Sequence, residues 1–226
     1  MALGPFYVEQ KLRTATVHGT VLLMRHGETE WNREGRVMGR NPVELNAAGR
    51  AQVAAAADFM REIKLDLIVT SPLVRARQSA ETVAERLGGV QVIEDGRLAE
   101  VEYGRWESLT FKDLLQDPLY LQYKENPVTM ATPGGETIAQ AQARGVAAVH
   151  DTMEANHSRH VLFVSHGDII RTVICHYLRL ELPHFRRLRI DNANLSALEL
   201  ADNFAEMKFI NLLADPARAF VPPFRA

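Results

Sequence analysis

The feature that most constrains the fold of this chain is a run of apolar residues that ends in a charged pair and a glycine. Val21-Leu22-Leu23-Met24 leads directly into Arg25-His26-Gly27. A continuous apolar run of this length is typical of a strand buried on both faces, as in a parallel sheet. Open α/β sheets bind their ligands at the carboxyl ends of such strands. The pattern therefore predicts that Arg25 and His26 reach a ligand site, with the chain turning at Gly27.

A second stretch repeats this arrangement much later in the chain. Residues 161–164 are again apolar, and Ser165-His166-Gly167 and a predicted helix follow them. Packing alone gives no good reason for two strands that each end in His-Gly. Because parallel strands bring their carboxyl ends to one edge of a sheet, we expect His26 and His166 to lie close together.

Strand and helix patterns alternate along the chain. Strands are predicted at 65–70, 90–93 and 161–165, helices at 47–63, 73–87, 137–156 and 168–180, and a final hairpin at 195–200 and 207–213. Ser71-Pro72 has the composition of a helix start. The alternation predicts an α/β fold: a mostly parallel central sheet flanked by helices on both faces, with an antiparallel edge strand. Residues 1–18 are interpreted as an N-terminal extension, and 19–226 as a single domain with a small lid insertion at about 103–133.

The composition limits the classes of function. The 226 residues are 46% hydrophobic with a formal net charge of −2, which argues against a strongly basic nucleic-acid-binding protein. The single cysteine, Cys175, cannot form an internal disulfide or a cysteine-cluster zinc site. No apolar run resembles a signal peptide or approaches the ~20 residues of a membrane span. The sequence therefore predicts a cytoplasmic protein with no nucleic-acid or membrane partner.

The charged groups expected at the shared sheet edge suit phosphoryl transfer. They are Arg25, His26, Arg75 and His166, with Glu28 and Glu100 in reach. Two arginines can bind phosphate oxygens in bidentate fashion, and a neutral imidazole is a competent nucleophile. A carboxylic acid can protonate the departing alcohol. A metal site is the alternative for two histidines plus carboxylates, but the arginines would repel a divalent cation and neither histidine belongs to a His-Glu-x-x-His pattern.

Several motifs in the chain resemble, in order, the signature of the histidine phosphatase superfamily, the phosphoglycerate mutase-like proteins. They are Arg25-His26-Gly27-Glu28-Thr29 with Trp31-Asn32, Ser71-Pro72-Leu73-x-Arg75-Ala76, Leu98-x-Glu100, Gly104-x-Trp106-Glu107, Pro133-Gly134-Gly135-Glu136 and Ser165-His166-Gly167. The resemblance covers residues 20–200 and implies an enzyme that acts on a small phosphorylated metabolite.

The resemblance implies chemical roles for individual residues. His26 resembles the residue that is phosphorylated. Glu100 resembles the proton donor to the leaving group and then the base for water, with Glu102 and Glu107 as nearby alternatives. Glu28 belongs to the signature but is expected to support the orientation of an arginine or histidine.

The remaining matched residues are implied to bind the substrate. Arg25, Arg75 and His166 resemble the rest of the phosphate pocket, whereas Asn32 is similar to the residue at its mouth. The substrate-binding set is therefore predicted to be Arg25, Asn32, Arg75, His166 and Gly167. No metal or other cofactor is implied.

The resemblance allows either a phosphatase or a phosphoglycerate mutase, which differ in where the phosphoryl group goes after it leaves the substrate. Mutases of this family carry a longer insertion with paired arginines and a proline-rich run, whereas residues 108–132 contain no Arg-Arg pair and only Pro118 and Pro127. This favours a phosphatase over a phosphoglycerate mutase. A non-catalytic phospho-ligand-binding protein is disfavoured because every expected pocket residue is present.

Two features of the sequence leave alternatives open. The apolar segment 219–224 could cover the body of the protein or contact a second subunit in a homodimer. Bulky side chains of the insertion could form an apolar lid for a larger substrate, or they could pack the core of the lid itself: Trp106, Phe111, Tyr120, Tyr123 and Met130.

Overall fold

The computed structural model describes residues 17–156, 159–201 and 204–212. Its strands are β1 (Val17–Arg25), β2 (Leu67–Thr70), β3 (Val92–Glu94), β4 (Arg159–Ser165), β5 (Leu195–Ala201) and β6 (Phe204–Leu212). Its α-helices are α1 (Glu30–Arg33), α2 (Ala47–Phe59), α3 (Val74–Arg86), α4 (Phe111–Leu114), α5 (Pro118–Glu125), α6 (Ile138–Ala155) and α7 (Gly167–Tyr177). Short 3₁₀ helices lie at Met60–Glu62, Gly96–Leu98, Gly104–Trp106 and Leu182–Arg187.

The six strands form one mixed sheet in the order β3-β2-β4-β1-β5-β6. The pairs β3–β2, β2–β4 and β4–β1 are parallel, whereas β5 runs antiparallel to both β1 and β6. The predicted α/β fold with a mostly parallel sheet and an antiparallel edge is therefore confirmed. Arg25 pairs with Ser165 in the β1–β4 register, so the two strands end level with each other.

The central strands are buried on both faces, as the apolar run predicts. Val21 and Leu23 of β1 belong to one hydrophobic cluster together with residues of α6 and α7. Leu22 and Met24 belong to a second cluster together with residues of α2 and α3. Burying each of these side chains contributes about 1.5–3 kcal/mol to stability. The ends of β1 and β4 are thus held rigidly, which fixes the residues that follow them.

Several predicted boundaries differ from the structure. Helix α3 begins at Val74 with Leu73 as its N-cap, so Ser71-Pro72 precedes the helix instead of starting it. Strand β1 begins at Val17, two residues inside the predicted N-terminal extension. The rest of that extension, residues 1–16, lies outside the described residues, as do the hairpin turn 202–203 and the apolar segment 219–224. No helix of the described part of the chain has the length and apolarity needed to cross a bilayer.

The segment 103–133, the predicted lid, contains α4 and α5 and packs on the main body. Trp106 and Tyr123 are fully buried in the cluster that covers the α6 and α7 face of the sheet. The Trp106 ring centroid lies 5.4 Å from that of Tyr120 and 5.2 Å from that of Tyr123. Edge-to-face aromatic contacts of this kind stabilise the segment beyond the area they bury.

Candidate active site

His26 is the buried centre of the site, and its hydrogen bonds identify its tautomer. Its Nδ1 atom lies 2.7 Å from the carbonyl oxygen of Gly27. Because a carbonyl oxygen can only accept, Nδ1 carries the proton and Nε2 presents a lone pair. The Nε atom of Arg75 donates to that lone pair at 3.3 Å. Burial, then Arg75 and then Arg25 hold the pKa of His26 well below its ordinary value, so the imidazole is neutral at neutral pH.

Arg75 supplies a fixed positive charge beside the lone pair of His26. It lies near the start of α3 and is completely buried. Its Nη1 and Nη2 atoms donate to the carbonyl oxygens of Asn41 at 3.0 Å and Gly39 at 2.8 Å. Burial lowers the pKa of Arg75 to about 10, which still leaves the guanidinium protonated at neutral pH. Because its side chain is completely buried, Arg75 is not a surface arginine.

The second His-Gly strand delivers His166 to the same place. The ring centroids of His26 and His166 are 5.2 Å apart, and His166 is fully buried. Its Nε2 atom lies 2.8 Å from the hydroxyl of Ser71. Burial first, and then Arg75, hold the pKa of His166 well below its ordinary value. The expected meeting of the two imidazoles is confirmed.

Two buried polar atoms at this point have no hydrogen-bond partner among the described residues. They are Nδ1 of His166 and Nε of Arg25, whose Nη1 donates to the carbonyl of Ile190 at 2.9 Å. A buried polar atom without a partner costs about 1–3 kcal/mol. Both atoms can donate a hydrogen bond, so a bound anion would satisfy them.

Gly167 leaves open the space in front of the N-terminus of α7. His166 is the N-cap of this helix, and no side chain caps its free amides. A Cβ atom on Gly167 would lie 3.3 Å from Nη1 of Arg171 and 3.7 Å from the guanidinium carbon of Arg25. Two guanidinium groups therefore approach the same helix N-terminus, where the helix dipole favours an anion.

Glu100 is a carboxylate whose pKa is raised toward neutral pH. It is partly buried, and its Oε1 atom accepts a hydrogen bond from the amide of Val101 at 2.9 Å. Burial, and then the negative charge of Asp168, raise the pKa of Glu100 to about 7. Arg75 and Arg25 act in the opposite direction. The carboxyl group can therefore give and take a proton near neutral pH.

The two alternative carboxylates serve other contacts. Glu102 lies 3.3 Å from Arg40 in a half-exposed ion pair. Glu107 accepts hydrogen bonds from the amides of Arg40 and Tyr103, each at 3.2 Å. Neither carboxylate lines the cavity described below, whereas Glu100 does.

Glu28 is placed differently from its prediction. Its carboxylate accepts a hydrogen bond from the side chain of Asn46 at 2.9 Å, and Asn46 caps α2 by accepting from the amide of Gly49. The expectation that Glu28 orients an arginine or histidine is therefore wrong. The carboxylate instead supports the loop that joins the Arg-His strand to α2.

A cavity of about 490 Å³ adjoins the buried cluster. Residues predicted for the site that line it are Arg25, Asn32, Glu100 and Gly167. His26, Arg75 and His166 are buried and are not among the lining residues, but they adjoin them: Arg75 donates to the carbonyl of Gly39, and His166 precedes Gly167. Of the bulky lid residues, Phe111 and Tyr120 line the cavity, whereas Trp106 and Tyr123 pack the core. The aromatic residues of the insertion are thus divided between the cavity wall and the core.

Asn192 is a site residue that the sequence reasoning missed. Its side-chain amide donates to the carbonyl of His26 at 3.0 Å and to Oδ1 of Asn32 at 3.2 Å. It precedes β5, and only the pairing of β5 with β1 brings it to His26. Ser71 was interpreted as a helix start, but its hydroxyl bonds His166. Ser79 accepts from the amide of Gly27 at 3.1 Å and so holds the turn after His26.

For the phosphomonoester reaction that the sequence resemblance implies, replacing Asn192 with alanine is expected to lower kcat about 10-fold, because His26 and Asn32 lose the side chain that orients both of them. A lost hydrogen bond to a buried carbonyl costs about 1–3 kcal/mol of stability as well. The measurement is kcat for p-nitrophenyl phosphate together with the thermal midpoint. Asn126→Ala, a substitution at the end of α5, is the control; equal losses of kcat in both variants would contradict the role of Asn192.

Among the residues that the structure describes, no three His, Cys, Asp or Glu side chains are grouped as a metal site requires. The site instead contains a pair of neutral histidines, and the charged groups beside them are the guanidinium groups of Arg25 and Arg75. A buried neutral imidazole beside fixed cations, with a carboxyl group of raised pKa nearby at an α/β sheet edge, is an arrangement suited to phosphoryl transfer.

Comparison with known proteins identifies the family. Residues 21–213 match the model of the histidine phosphatase superfamily (branch 1), and the chain belongs to this superfamily. It is 34% identical to an acid phosphatase of Mycobacterium tuberculosis over 200 residues, 87% of this chain and 94% of the relative. It is 30% identical to a probable phosphoglycerate mutase of Escherichia coli over 185 residues, 81% of this chain and 86% of the relative. The resemblance seen in the motifs is confirmed.

The fold of solved relatives agrees with this assignment. A mycobacterial glucosyl-3-phosphoglycerate phosphatase, solved as a complex with VO3, superimposes with a TM-score of 0.75 at 29% identity. The superposition covers 86% of this chain and 99% of that chain. Relatives of this chain thus include both phosphatases and phosphoglycerate mutase-like proteins.

Proposed function

We propose that this protein is a phosphatase that hydrolyses phosphomonoesters of small metabolites through a phosphohistidine at His26. One observation carries the proposal: the lone pair of His26 Nε2 lies beside Arg75, while the unpartnered donors of Arg25 and His166 lie at the same place. A tetrahedral dianion would accept from all three cationic or polar groups. The phosphatase relatives support the same class of reaction.

In the first step, Nε2 of His26 attacks phosphorus as the bond between phosphorus and the ester oxygen breaks. Glu100 transfers its proton to the departing oxygen, so the alcohol leaves neutral. Arg75 and Arg25 stabilise the charge on the non-bridging oxygens. The Ser71 hydroxyl can donate to Nε2 of His166, which leaves the Nδ1 proton of His166 for the same oxygens. The site contributes by positioning and by charge stabilisation.

In the second step, water hydrolyses the phosphohistidine. The Glu100 carboxylate, now without its proton, accepts a proton from water as the water oxygen attacks phosphorus. The phosphorus–nitrogen bond breaks, and its electron pair returns to Nε2 of His26. Inorganic phosphate leaves, and both His26 and Glu100 are restored to their starting forms.

We further propose that the reaction needs no metal, and that segment 103–133 is a lid on the single domain. The guanidinium groups of Arg25 and Arg75 supply the positive charge that a divalent cation would otherwise bring. The lid contributes one wall of the cavity through Tyr103, Phe111, Leu114, Tyr120 and Lys124. Turnover of p-nitrophenyl phosphate is expected to be unchanged by EDTA. Loss of turnover that added Mg²⁺ or Zn²⁺ restores would overturn the metal-free mechanism.

The experiment that tests the proposed function offers the protein 3-phosphoglycerate with a trace of 2,3-bisphosphoglycerate. Free phosphate and 2-phosphoglycerate are measured together with the turnover of p-nitrophenyl phosphate. A phosphatase releases phosphate from the ester and isomerises little or nothing. Isomerisation faster than phosphate release would make the protein a mutase. No turnover of any ester, and no ³²P label that survives alkali but not acid, would make it a binding protein.

The dependence of activity on pH follows from Glu100. For an alkyl phosphomonoester, kcat/KM is expected to fall as the pH rises through about 7, because Glu100 loses the proton that it must donate. Asp168→Asn removes a negative charge that raises the pKa of Glu100, so the fall is expected at lower pH. The ionisation of the substrate, with a second pKa near about 6, is the same for both proteins.

The matched control for this pH profile is Glu102→Gln, because Glu102 pairs with Arg40 in a half-exposed salt bridge. Its profile is expected to follow that of the unaltered protein. A profile of Asp168→Asn that coincides with both would contradict the assignment of the basic limb to Glu100.

A further inference from the structure

The cavity beside the proposed phosphate pocket is large enough to hold more than a phosphoryl group. Its volume of about 490 Å³ lies within the range of pockets that enclose whole small-molecule ligands. The substrate therefore has room for a substantial group beyond its phosphoryl ester. The side chains of the remaining wall indicate the chemistry of that group.

The wall of the cavity carries more positive than negative charge. Five cationic side chains line it, against the two carboxylates of Glu100 and Asp168: Arg25, Arg36, Lys124, Arg171 and Arg186. Arg25 belongs to the proposed phosphate pocket. Arg171 donates to Asp168 at 2.6 Å, and Arg36 pairs with Glu34. Lys124 and Arg186 have no hydrogen-bond or ion-pair partner within the described ranges 17–156, 159–201 and 204–212.

Lys124 and Arg186 come from different elements but line the same cavity. Lys124 is on α5, one turn after Tyr120, which lines the same cavity. Arg186 belongs to the 3₁₀ helix Leu182–Arg187, and its guanidinium carbon lies 5.5 Å from the ring centroid of Tyr123. Tyr123 immediately precedes Lys124.

Two aromatic rings lie beside the exposed guanidinium of Arg186. Its guanidinium carbon lies 5.3 Å from the ring centroid of Phe185 as well, and Phe185 and Tyr123 are both fully buried. A cation over an aromatic face is held by the ring quadrupole without using its N–H donors. Those donors remain available to an anion in the cavity. The same geometry reduces the entropy that Arg186 loses when it binds.

We propose that Lys124 and Arg186 form a second anion site, which binds a carboxylate or a second phosphate elsewhere on the substrate. The proposal rests on the proposed phosphatase function and names its substrate class: phosphomonoesters that carry a further acidic group. Phe111, Leu114 and Tyr120 line the same cavity and provide an apolar surface for the part of the molecule that joins the two acids. A neutral leaving group would leave both cations without a counter-ion.

Pairs of substrates that differ by one acidic group test this site. The carboxylate pair is 3-phosphoglycerate and glycerol 3-phosphate, and the phosphate pair is fructose 1,6-bisphosphate and fructose 6-phosphate. The unaltered protein is expected to prefer the acidic member of one pair by at least about 10-fold in kcat/KM, and the pair that shows the preference tells a carboxylate from a phosphate. The preference should weaken at higher salt because the two cations are exposed to solvent.

The variants Lys124→Met and Arg186→Met are expected to raise KM for the preferred substrate about 10-fold each, and the double variant to abolish the preference. Turnover of p-nitrophenyl phosphate should stay within about 2-fold, because that ester has no second acid. Lys112→Met and Arg187→Met are matched controls: each replaces the same residue type in the same segment, is exposed and does not line the cavity.

Two outcomes would overturn the second anion site. One is an unaltered protein that turns over p-nitrophenyl phosphate but shows no preference within either pair. The other is an equal rise of KM in the Lys112 and Arg187 control variants. Failure of the phosphatase proposal is a separate result, since it would appear as no turnover of p-nitrophenyl phosphate by the unaltered protein.

Discussion

Replacing His26 with alanine is expected to lower kcat/KM for p-nitrophenyl phosphate by about four orders of magnitude or more. The substitution removes the nitrogen whose lone pair faces the Arg75 guanidinium at 3.3 Å. Without a covalent intermediate, water would have to attack the ester directly, and no group would hold that water where the imidazole nitrogen had been. A loss of this size corresponds to about 5 kcal/mol of transition-state stabilisation. The measurement is steady-state kinetics, with ³²P-labelled ester to trap the intermediate.

The chemistry of the trapped intermediate identifies the nucleophile. A phosphohistidine survives alkali and is lost in acid, and the label should be absent from His26→Ala. The control is His150→Ala, because His150 is exposed on α6 and pairs only with Asp151 and Glu154. The thermal midpoint of both variants shows that they are folded. An alkali-stable label that persists in His26→Ala would move the nucleophile to another residue, with His166 at 5.2 Å the first to test.

The sequence predicted the centre of the site because its residues are attached to strongly patterned strands. Continuous apolar runs mark the extent of these strands, and the polar residues that follow each run mark its carboxyl end, where Arg25, His26 and His166 emerge. The level ends of β1 and β4 then bring the two histidines together. Arg75 follows a buried strand in the same way, although its full burial could not be inferred from an arginine in a helix.

The sequence did not reveal residues whose role depends on contacts between distant parts of the chain. Asn192 reaches His26 across 166 positions, and nothing in its own segment marks it. Lys124 and Arg186 were not singled out because the sequence does not show which of the neighbouring cations are paired with carboxylates. The structure shows that Arg171 and Arg36 are paired in this way.

Gly49 in α2 shows how a tertiary contact can explain a residue that is locally unfavourable. In sequence, Gly49 weakens a helix prediction, because glycine is a poor helix former. In the structure, a Cβ atom on Gly49 would lie 2.0 Å from the carbonyl oxygen of Glu28, and one on Gly27 would lie 2.5 Å from the carbonyl oxygen of Gly49. The start of α2 therefore packs directly on the backbone after His26. The local cost of the glycine is offset by a contact that only tertiary structure can show.

Replacing Glu100 with glutamine is expected to separate substrates by their leaving groups. For an alkyl phosphomonoester such as glycerol 3-phosphate, kcat/KM should fall by about 10²- to 10⁴-fold, because the alkoxide cannot leave without a proton. For p-nitrophenyl phosphate the loss should be less than about 10-fold, because p-nitrophenolate is stable as the anion. The comparison uses kcat/KM because that ratio reports only the steps up to formation of the phosphohistidine.

The same variant is expected to accumulate the intermediate, because water loses its base in the second step. Rapid mixing of Glu100→Gln with p-nitrophenyl phosphate should give a burst of one p-nitrophenolate per protein, followed by slow turnover. Glu102→Gln is the matched control and should show neither effect, since its carboxylate pairs with Arg40. Equal losses for both esters in Glu100→Gln would transfer the acid role to another carboxylate, with Glu107 the next candidate. A normal first step without a burst would mean that a group other than Glu100 activates water, so the two halves of the reaction can be assigned independently.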